Sequence, residues 1–374
     1  MTEDRLLVTF DEAHARPPRK WWIRLGRGLL CFAIFASAMV VVAQFIGRIH
    51  RFGGIIELRE KMAWWDQHAD EYNTLFLGTS RVYRGLMPRI IDQRMAEAGR
   101  PTKTFNFGID GMFAPEDSYV IEHILDRQPK HLRWVFIELA MFQKNIDTDD
   151  PFTVRNSYWH DGARTMLVIR NLLTSKNGEI RWKELLFGTE GERKRLRYAW
   201  GHLTLYISHT LSIGHGRRLL EADFNPLGKM KGMRILGPDR DGFEAMGPDK
   251  ILAGPDLKSY EAQLKKLMGE EQRAQLVNPQ LQRNLEVMVR RVRELGATPI
   301  FIIAPVLNRE IRLPGGALAD VPVLNFSNLV NSRQLLETKY RADSAHLTPE
   351  GAVLFSEEFA RRFIDLLRSQ SPPR

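Results

Sequence analysis

Leu75-Phe76-Leu77-Gly78-Thr79-Ser80-Arg81 is an apolar run that stops at a glycine and hands over to two hydroxyl side chains. Such a run reads as a buried strand, and Gly78 permits a sharp exit that a Cβ would hinder. A serine on that turn would expose its hydroxyl at the top of a sheet. The same residues also read as an ordinary strand-to-helix turn, with Ser80 or Thr79 as the N-cap. Further along, Thr104–Gly111 reads as a second strand ending in a glycine-rich turn, and Arg133–Leu139 as a third. Leu285, Met288, Val289, Val292 and Leu295 lie on one face of a helix that Gly296 closes. Thr298–Pro305 is then a buried strand, and Val321–Phe326 a fifth. Strands alternating with helices predict an α/β fold with a parallel sheet covered on both faces. Ligands in such sheets bind beyond the carboxyl ends of the strands, where Ser80, Gly111 and the segment after Glu138 all fall.

Near the far end stands Asp343-Ser344-Ala345-His346-Leu347-Thr348-Pro349. A serine hydroxyl is a weak nucleophile at neutral pH and needs a base, itself oriented by a third group. His346 is the candidate base, because imidazole titrates near neutral pH. Asp343 is placed to hold its tautomer. This stretch also reads as a helix start, with Thr348 as N-cap and Pro349 at the first helical position.

The order G-x-S, then Asn106-Phe107-Gly108-Ile109-Asp110-Gly111 as N-x-G-x-x-G, then a late D-x-x-H resembles the SGNH (GDSL-like) hydrolase superfamily. Gly78-Thr79-Ser80-Arg81 is similar to the G-[ST]-S-R variant of membrane-anchored bacterial members. Those are linked to cell-envelope or exopolysaccharide acylation and include proteins similar to the D-alanyl transfer protein of teichoic acids. The resemblance spans residues 72–146 and 281–370 and implies a flavodoxin-like three-layer fold. It also implies Ser80 as nucleophile, His346 as base, Asp343 as its partner, and the amides of Ser80 and Gly111 as oxyanion donors. No metal or cofactor is implied. In the family an Asn after the third strand donates to the oxyanion. Here Glu138-Leu139-Ala140-Met141-Phe142 follows instead, so Asn145, Gln143 or Asn106 would have to serve. Thr79 replaces a customary Asp that is not part of the triad. Transfer and hydrolysis use the same triad. The missing Asn keeps a second reading open, a catalytically silent scaffold on the same fold. Arg81 would hold an acidic substrate group or pair with a neighbouring carboxylate, and Glu138 would be a general acid or else a capped or salt-bridged carboxylate.

Leu29–Ile46 is an 18-residue apolar run broken only by Ser37 and Gln44. At 1.5 Å per residue it spans about 27 Å, enough for a bilayer core. Ala36-Ser37-Ala38 resembles a cleavage site but lies inside the run, which favours an uncleaved anchor over a signal peptide. Arg16, Arg19, Lys20, Arg24 and Arg27 precede it, against Arg48, Arg51, Arg59 and Lys61 after it. That small bias places the amino terminus (1–28) in the bacterial cytoplasm and the rest outside the inner membrane. The chain of 374 residues carries a net charge of +9 and one cysteine, Cys31. With no nucleic-acid motif, the charge reads as a surface for anionic lipid or an acidic envelope polysaccharide. An acyl donor outside the membrane suggests a membrane-bound O-acyltransferase partner.

Residues 47–71 read as a membrane-proximal helical segment, in which Trp64 and Trp65 pack rather than bind sugar. Residues 147–280 are too long for a loop and read as a mostly helical insertion, a lid, groove or partner surface. Its expected helices are Gly162–Ser175, Glu192–Leu211 and Lys258–Leu276, with an extended loop over Phe224–Pro255. His202, His209 and His215 lack metal-ligand spacing and read as ordinary helix histidines.

Overall fold

The computed structural model describes residues 19–49, 55–142, 158–175, 178–179, 189–211, 235–277 and 279–370. Its elements in chain order are α1 (Arg19–Ile49), α2 (Ile56–His68), β1 (Thr74–Gly78), α3 (Ser80–Tyr83) and α4 (Pro88–Glu97). Then come β2 (Thr104–Gly108), α5 (Glu116–Leu125), β3 (Trp134–Glu138), α6 (Gly162–Leu173), β4 (Thr174–Ser175) and β5 (Gly178–Glu179). They are followed by α7 (Glu190–Thr210), α8 (Gly254–Met268), β6 (Arg273–Leu276) and α9 (Pro279–Glu294). The chain ends with β7 (Thr298–Ile303), β8 (Glu310–Leu313), β9 (Val323–Asn325) and α10 (Pro349–Ser369).

Among the described residues, five strands form one sheet in the order β2-β1-β3-β7-β9, and every pairing is parallel. Because a strand's side chains alternate between faces, the sheet has two apolar sides. Leu75, Leu77, Phe105, Phe107, Val135, Ile137, Phe301 and Ile303 face one side. They meet Leu58, Met62 and Trp65 of α2, Val120, Ile121 and Ile124 of α5, and Leu285, Val289 and Val292 of α9. Phe76, Phe136, Ile300, Ile302 and Leu324 face the other side, against Ile91 and Met95 of α4 and Phe355, Phe359 and Phe363 of α10. Burying each such side chain contributes about 1.5–3 kcal/mol. Phe136 lies edge-on to both Phe359 and Phe363 with ring centroids 4.9 Å apart. The fold is thus mixed α/β with a parallel sheet covered on both faces, as the strand pattern predicts.

Trp65 is core: it donates its indole N–H to the Ile124 carbonyl and packs against Phe105 and Phe107. Half-buried Trp64 stacks on His68. Both tryptophans pack, as expected, and α2 belongs to the helical layer of the sheet.

α1 carries an apolar stretch from Trp21 to Phe45, long enough to cross a membrane and almost wholly uncovered by protein. By length and composition it fits a membrane anchor or a signal sequence.

The expected helix over Lys258–Leu276 is corrected. α8 stops at Met268, and β6 pairs in parallel with β8, thirty-seven residues away in register. Local pattern could not anticipate a strand whose four residues are all exposed. In the expected loop, residues 235–253 contain turns but no helix or strand, and the Asp241 carbonyl accepts from the Asn106 amide at 2.7 Å. This stretch therefore covers an otherwise open edge of the sheet at β2. His202 is buried on α7 with its Nδ1 2.8 Å from His160 Nε2, and burial pushes its pKa down to about 4. No group of three metal-capable side chains occurs among the described residues. His215 lies outside them.

Candidate active site

All five strands point the same way, so their carboxyl ends share one edge of the sheet. The order of connection reverses between β1 and β3, which opens a crevice there. Ser80 follows β1 at that crevice. Gly78 is locked: a Cβ on it would lie 2.4 Å from Val82 Cγ2 and 2.7 Å from Glu138 Oε2. Thr79 is the N-cap of α3, with its hydroxyl oxygen accepting from the Arg81 amide at 3.3 Å. Ser80 is the first residue of that helical turn, so its own amide has no partner within the turn.

Glu138, the last residue of β3, lies against the Thr79 turn. It is fully buried, and its Oε2 accepts from the Thr79 amide at 2.7 Å and the Thr79 hydroxyl at 2.9 Å. Its Oε1 has no hydrogen-bond partner and lies 3.9 Å from Arg81 Nη1. Burial raises the Glu138 pKa; Arg81 and the Thr79 donors oppose that rise. Of the two expected roles, the capped carboxylate is the one this geometry matches, since both hydrogen bonds serve the backbone turn. Arg81 has Glu138 as its nearest carboxylate and remains partly exposed.

His346 reaches the crevice from a loop before α10. Its Nε2 lies 2.7 Å from Ser80 Oγ, across 266 residues of chain. Its Nδ1 lies 2.8 Å from Asp343 Oδ2. An ionised carboxylate only accepts, so it fixes Nδ1 as the donor and leaves Nε2 free to accept from the serine hydroxyl. Asp343 Oδ1 also accepts from the amides of Ala345 and His346 at 2.7 and 2.8 Å. These bonds, the His346 ring first among them, hold the Asp343 carboxyl well below the usual carboxylate range. The helix-start reading holds at the same time. The Thr348 hydroxyl oxygen accepts from the Gly351 amide at 3.2 Å, and Pro349 opens α10.

Arg341 is the residue that sequence reasoning missed. It is fully buried, and its guanidinium donates to the carbonyls of Pro305, Ser344 and Asp343 at 2.8, 3.0 and 3.4 Å. It thereby ties the Asp343–His346 loop to the end of β7. Burial lowers its pKa, while Tyr260 and Asp343 counter this. The only local signal was an arginine two residues before the aspartate.

Gly111 lies three residues past Gly108, which pairs with Gly78, and adopts φ +65. That conformation suits glycine, and the residue follows the carboxyl end of β2. Asn106 is corrected as a donor to substrate. Its side-chain amide donates to the carbonyls of Val82 and Leu86, both at 2.8 Å, and its Oδ1 accepts from the Gly108 amide. Leu139–Phe142, the segment where the SGNH resemblance calls for an Asn, is a buried apolar turn. Gln143 and Asn145 lie outside the described residues.

No family model and no curated protein matches this chain.

Proposed function

We propose that this chain is a membrane-anchored serine acyltransferase or esterase built on the SGNH pattern, within a flavodoxin-like three-layer fold. One observation carries the reading: Ser80 Oγ, His346 and Asp343 form a continuous hydrogen-bonded line at the sheet's carboxyl edge. The strand order, which runs 2-1-3-4-5 when only the sheet's own strands are counted, supports the fold assignment.

In this mechanism Ser80 Oγ attacks an ester or thioester carbonyl carbon while His346 Nε2 takes its proton. Asp343 stays ionised and stabilises the imidazolium. The amides of Ser80 and Gly111 receive the oxyanion, with Asn145 as a third candidate donor. His346 returns its proton to the leaving oxygen or sulfur as the tetrahedral intermediate collapses to acyl-Ser80. A sugar hydroxyl or water then attacks the acyl group, His346 takes that proton, and Ser80 leaves with it restored. The acyl groups, acetyl above all, belong to an envelope or secreted polysaccharide. Arg81, partly exposed beside the nucleophile, is placed to meet an acidic group on it. A membrane-bound O-acyltransferase would supply the acyl donor. α1 anchors the chain in the bacterial inner membrane with the site outside, and no nucleic acid is involved.

The test is labelling of the full-length, detergent-solubilised protein with a fluorophosphonate probe. Labelling is expected, and it disappears in Ser80→Ala and His346→Ala. Folded protein that never labels supports the second reading, a silent scaffold in polysaccharide or envelope assembly. That reading is favoured by the apolar Leu139–Phe142 turn where an oxyanion donor would stand. Alkaline phosphatase fused after residue 60 tests the orientation, and an active fusion is expected.

A further inference from the structure

α7 packs one face on α6, where Ala199 and His202 are buried. Its outward face is unusual. Trp200, Ile207 and Leu211, just past the last turn, are exposed at 64%, 44% and 37%. At 100° per residue these three lie within about 40° of one another around the helix axis. Arg193 falls on the same line, about two turns toward the amino terminus from Trp200, and Arg197 lies about 40° from it around the axis.

The apolar end of that line meets the anchor. The Gln44 side-chain amide donates to the Thr210 carbonyl at 3.2 Å. Gln44 stands one residue before the end of the apolar stretch of α1. Ala43 beside it is buried, whereas the large apolar side chains between Trp21 and Phe45 are exposed. Ile207 and Leu211 therefore start where α1 leaves its apolar zone and extend that zone sideways.

We infer that α7 is seated in the membrane surface, in the leaflet that α1 exits at its carboxyl end. Leu211 and Ile207 enter the acyl region, Trp200 lies at the headgroups, and Arg193 and Arg197 meet anionic lipid phosphates. The residue types follow the order an interfacial helix needs. Aliphatic side chains lie deepest, the amphipathic indole sits between, and cations are outermost. The occupant is lipid because the apolar line is continuous with the anchor's own lipid-facing surface. The catalytic domain is then held at two points and cannot swivel freely on α1. The inference rests on the reading of α1 as a bilayer helix.

The full-length protein suits a direct test, because Cys31, exposed in mid-α1, is its single cysteine. Nitroxide labels are placed on native Cys31 and, in a Cys31→Ser background, on Ile207→Cys, Leu211→Cys, Trp200→Cys and Arg361→Cys. The last lies on the exposed side of α10. In nanodiscs of phosphatidylethanolamine and phosphatidylglycerol, collisions with oxygen and with a water-soluble nickel chelate are compared. The labels at 207 and 211 are expected to shift toward the oxygen-dominated ratio of Cys31, that at 200 to fall between, and that at 361 to match water. A water-like ratio at 207 and 211 with a lipid-like Cys31 overturns the seating of α7 and spares the anchor. Water-like ratios at Cys31 as well sink the membrane reading itself. Low collision with both reagents at 207 means protein covers the face and overturns lipid as the occupant.

Discussion

The serine turn and the histidine loop meet at one hydrogen bond but are held by opposite means. The turn belongs to the interior. Gly78 and Thr79 are buried, β1 is paired on both sides, and Glu138 binds the turn from below through two bonds. The loop lies at the surface, and the Asp343 side chain is half exposed. Its shape comes from Asp343's own carboxylate, from Arg341 beneath, and from the bridge of Arg341 to Leu347. Ser80 therefore inherits its position from the sheet, whereas His346 is positioned by its own loop and by the tie of Arg341 to Pro305. Damage to the loop should fall on catalysis, and damage to the turn on catalysis and stability together.

The largest separation is expected from Asp343→Asn. An asparagine carbonyl still accepts from the Ala345 and His346 amides, so the loop keeps its shape. Its NH2 then faces His346 Nδ1 and makes that nitrogen an acceptor. The proton moves to Nε2, which can no longer accept from Ser80. A fall in kcat of about 10⁴ follows, with the melting temperature nearly unchanged. Ester hydrolysis and thermal unfolding on the same sample check it. A variant that melts early would break the comparison.

Gly78→Ala probes the other half. The added Cβ collides with Val82 and Glu138, so the turn must shift. Overpacking of this kind costs about 1–3 kcal/mol. A displaced nucleophile of order 1 Å costs about 10²-fold in rate. Chemical denaturation and kcat should therefore fall together. Arg341→Lys comes next. A lysine offers a point charge in place of a fork and cannot reach all three carbonyls that Arg341 serves. Each lost hydrogen bond costs about 1 kcal/mol. The loosened loop should lower kcat by roughly tenfold with KM unchanged, because positioning rather than substrate binding is lost.

The same contrast explains what the sequence made legible. β1, β2, β3 and β7 could be read because each is a short run whose residues are all or nearly all buried, as in Leu75–Leu77 and Pro299–Ile303. Ser80, Asp343 and His346 could be named because each sits in a local pattern of its own. Both patterns had a plainer reading as helix starts, and both plain readings hold, since Thr79 and Thr348 cap the helices that follow. A helix cap and a turn that presents a side chain at the sheet edge are one geometry when the sheet edge supplies both. The distance from Ser80 to His346 is a tertiary quantity and had no local trace. Nor did the union of Glu138 with Thr79, or the reach of Arg341 to Pro305. β6 leaves no local trace for the same reason, because its partner β8 lies far along the chain.

The smallest expected effect, from Glu138→Gln, asks what kind of bond holds the turn. A glutamine carbonyl replaces Oε2 and still accepts from the Thr79 amide and hydroxyl. Its NH2 replaces Oε1, which has no hydrogen-bond partner, so the turn should hold and kcat should fall less than tenfold. The pH dependence of stability is more telling. Burial raises the folded pKa of Glu138 above the ordinary value of about 4.3. Between those two values the folded state holds a proton that the unfolded state releases, so wild-type stability declines as pH rises. Glutamine has no such proton. The stability of Glu138→Gln relative to wild type should therefore increase with pH from about 4.3 upward, in denaturation series at several pH values. A relative stability that decreases with pH instead would mean an ionised Glu138 held by Arg81. The turn would then rest on an ion pair, and the nucleophile would be as dependent on one cation as the base is on Arg341.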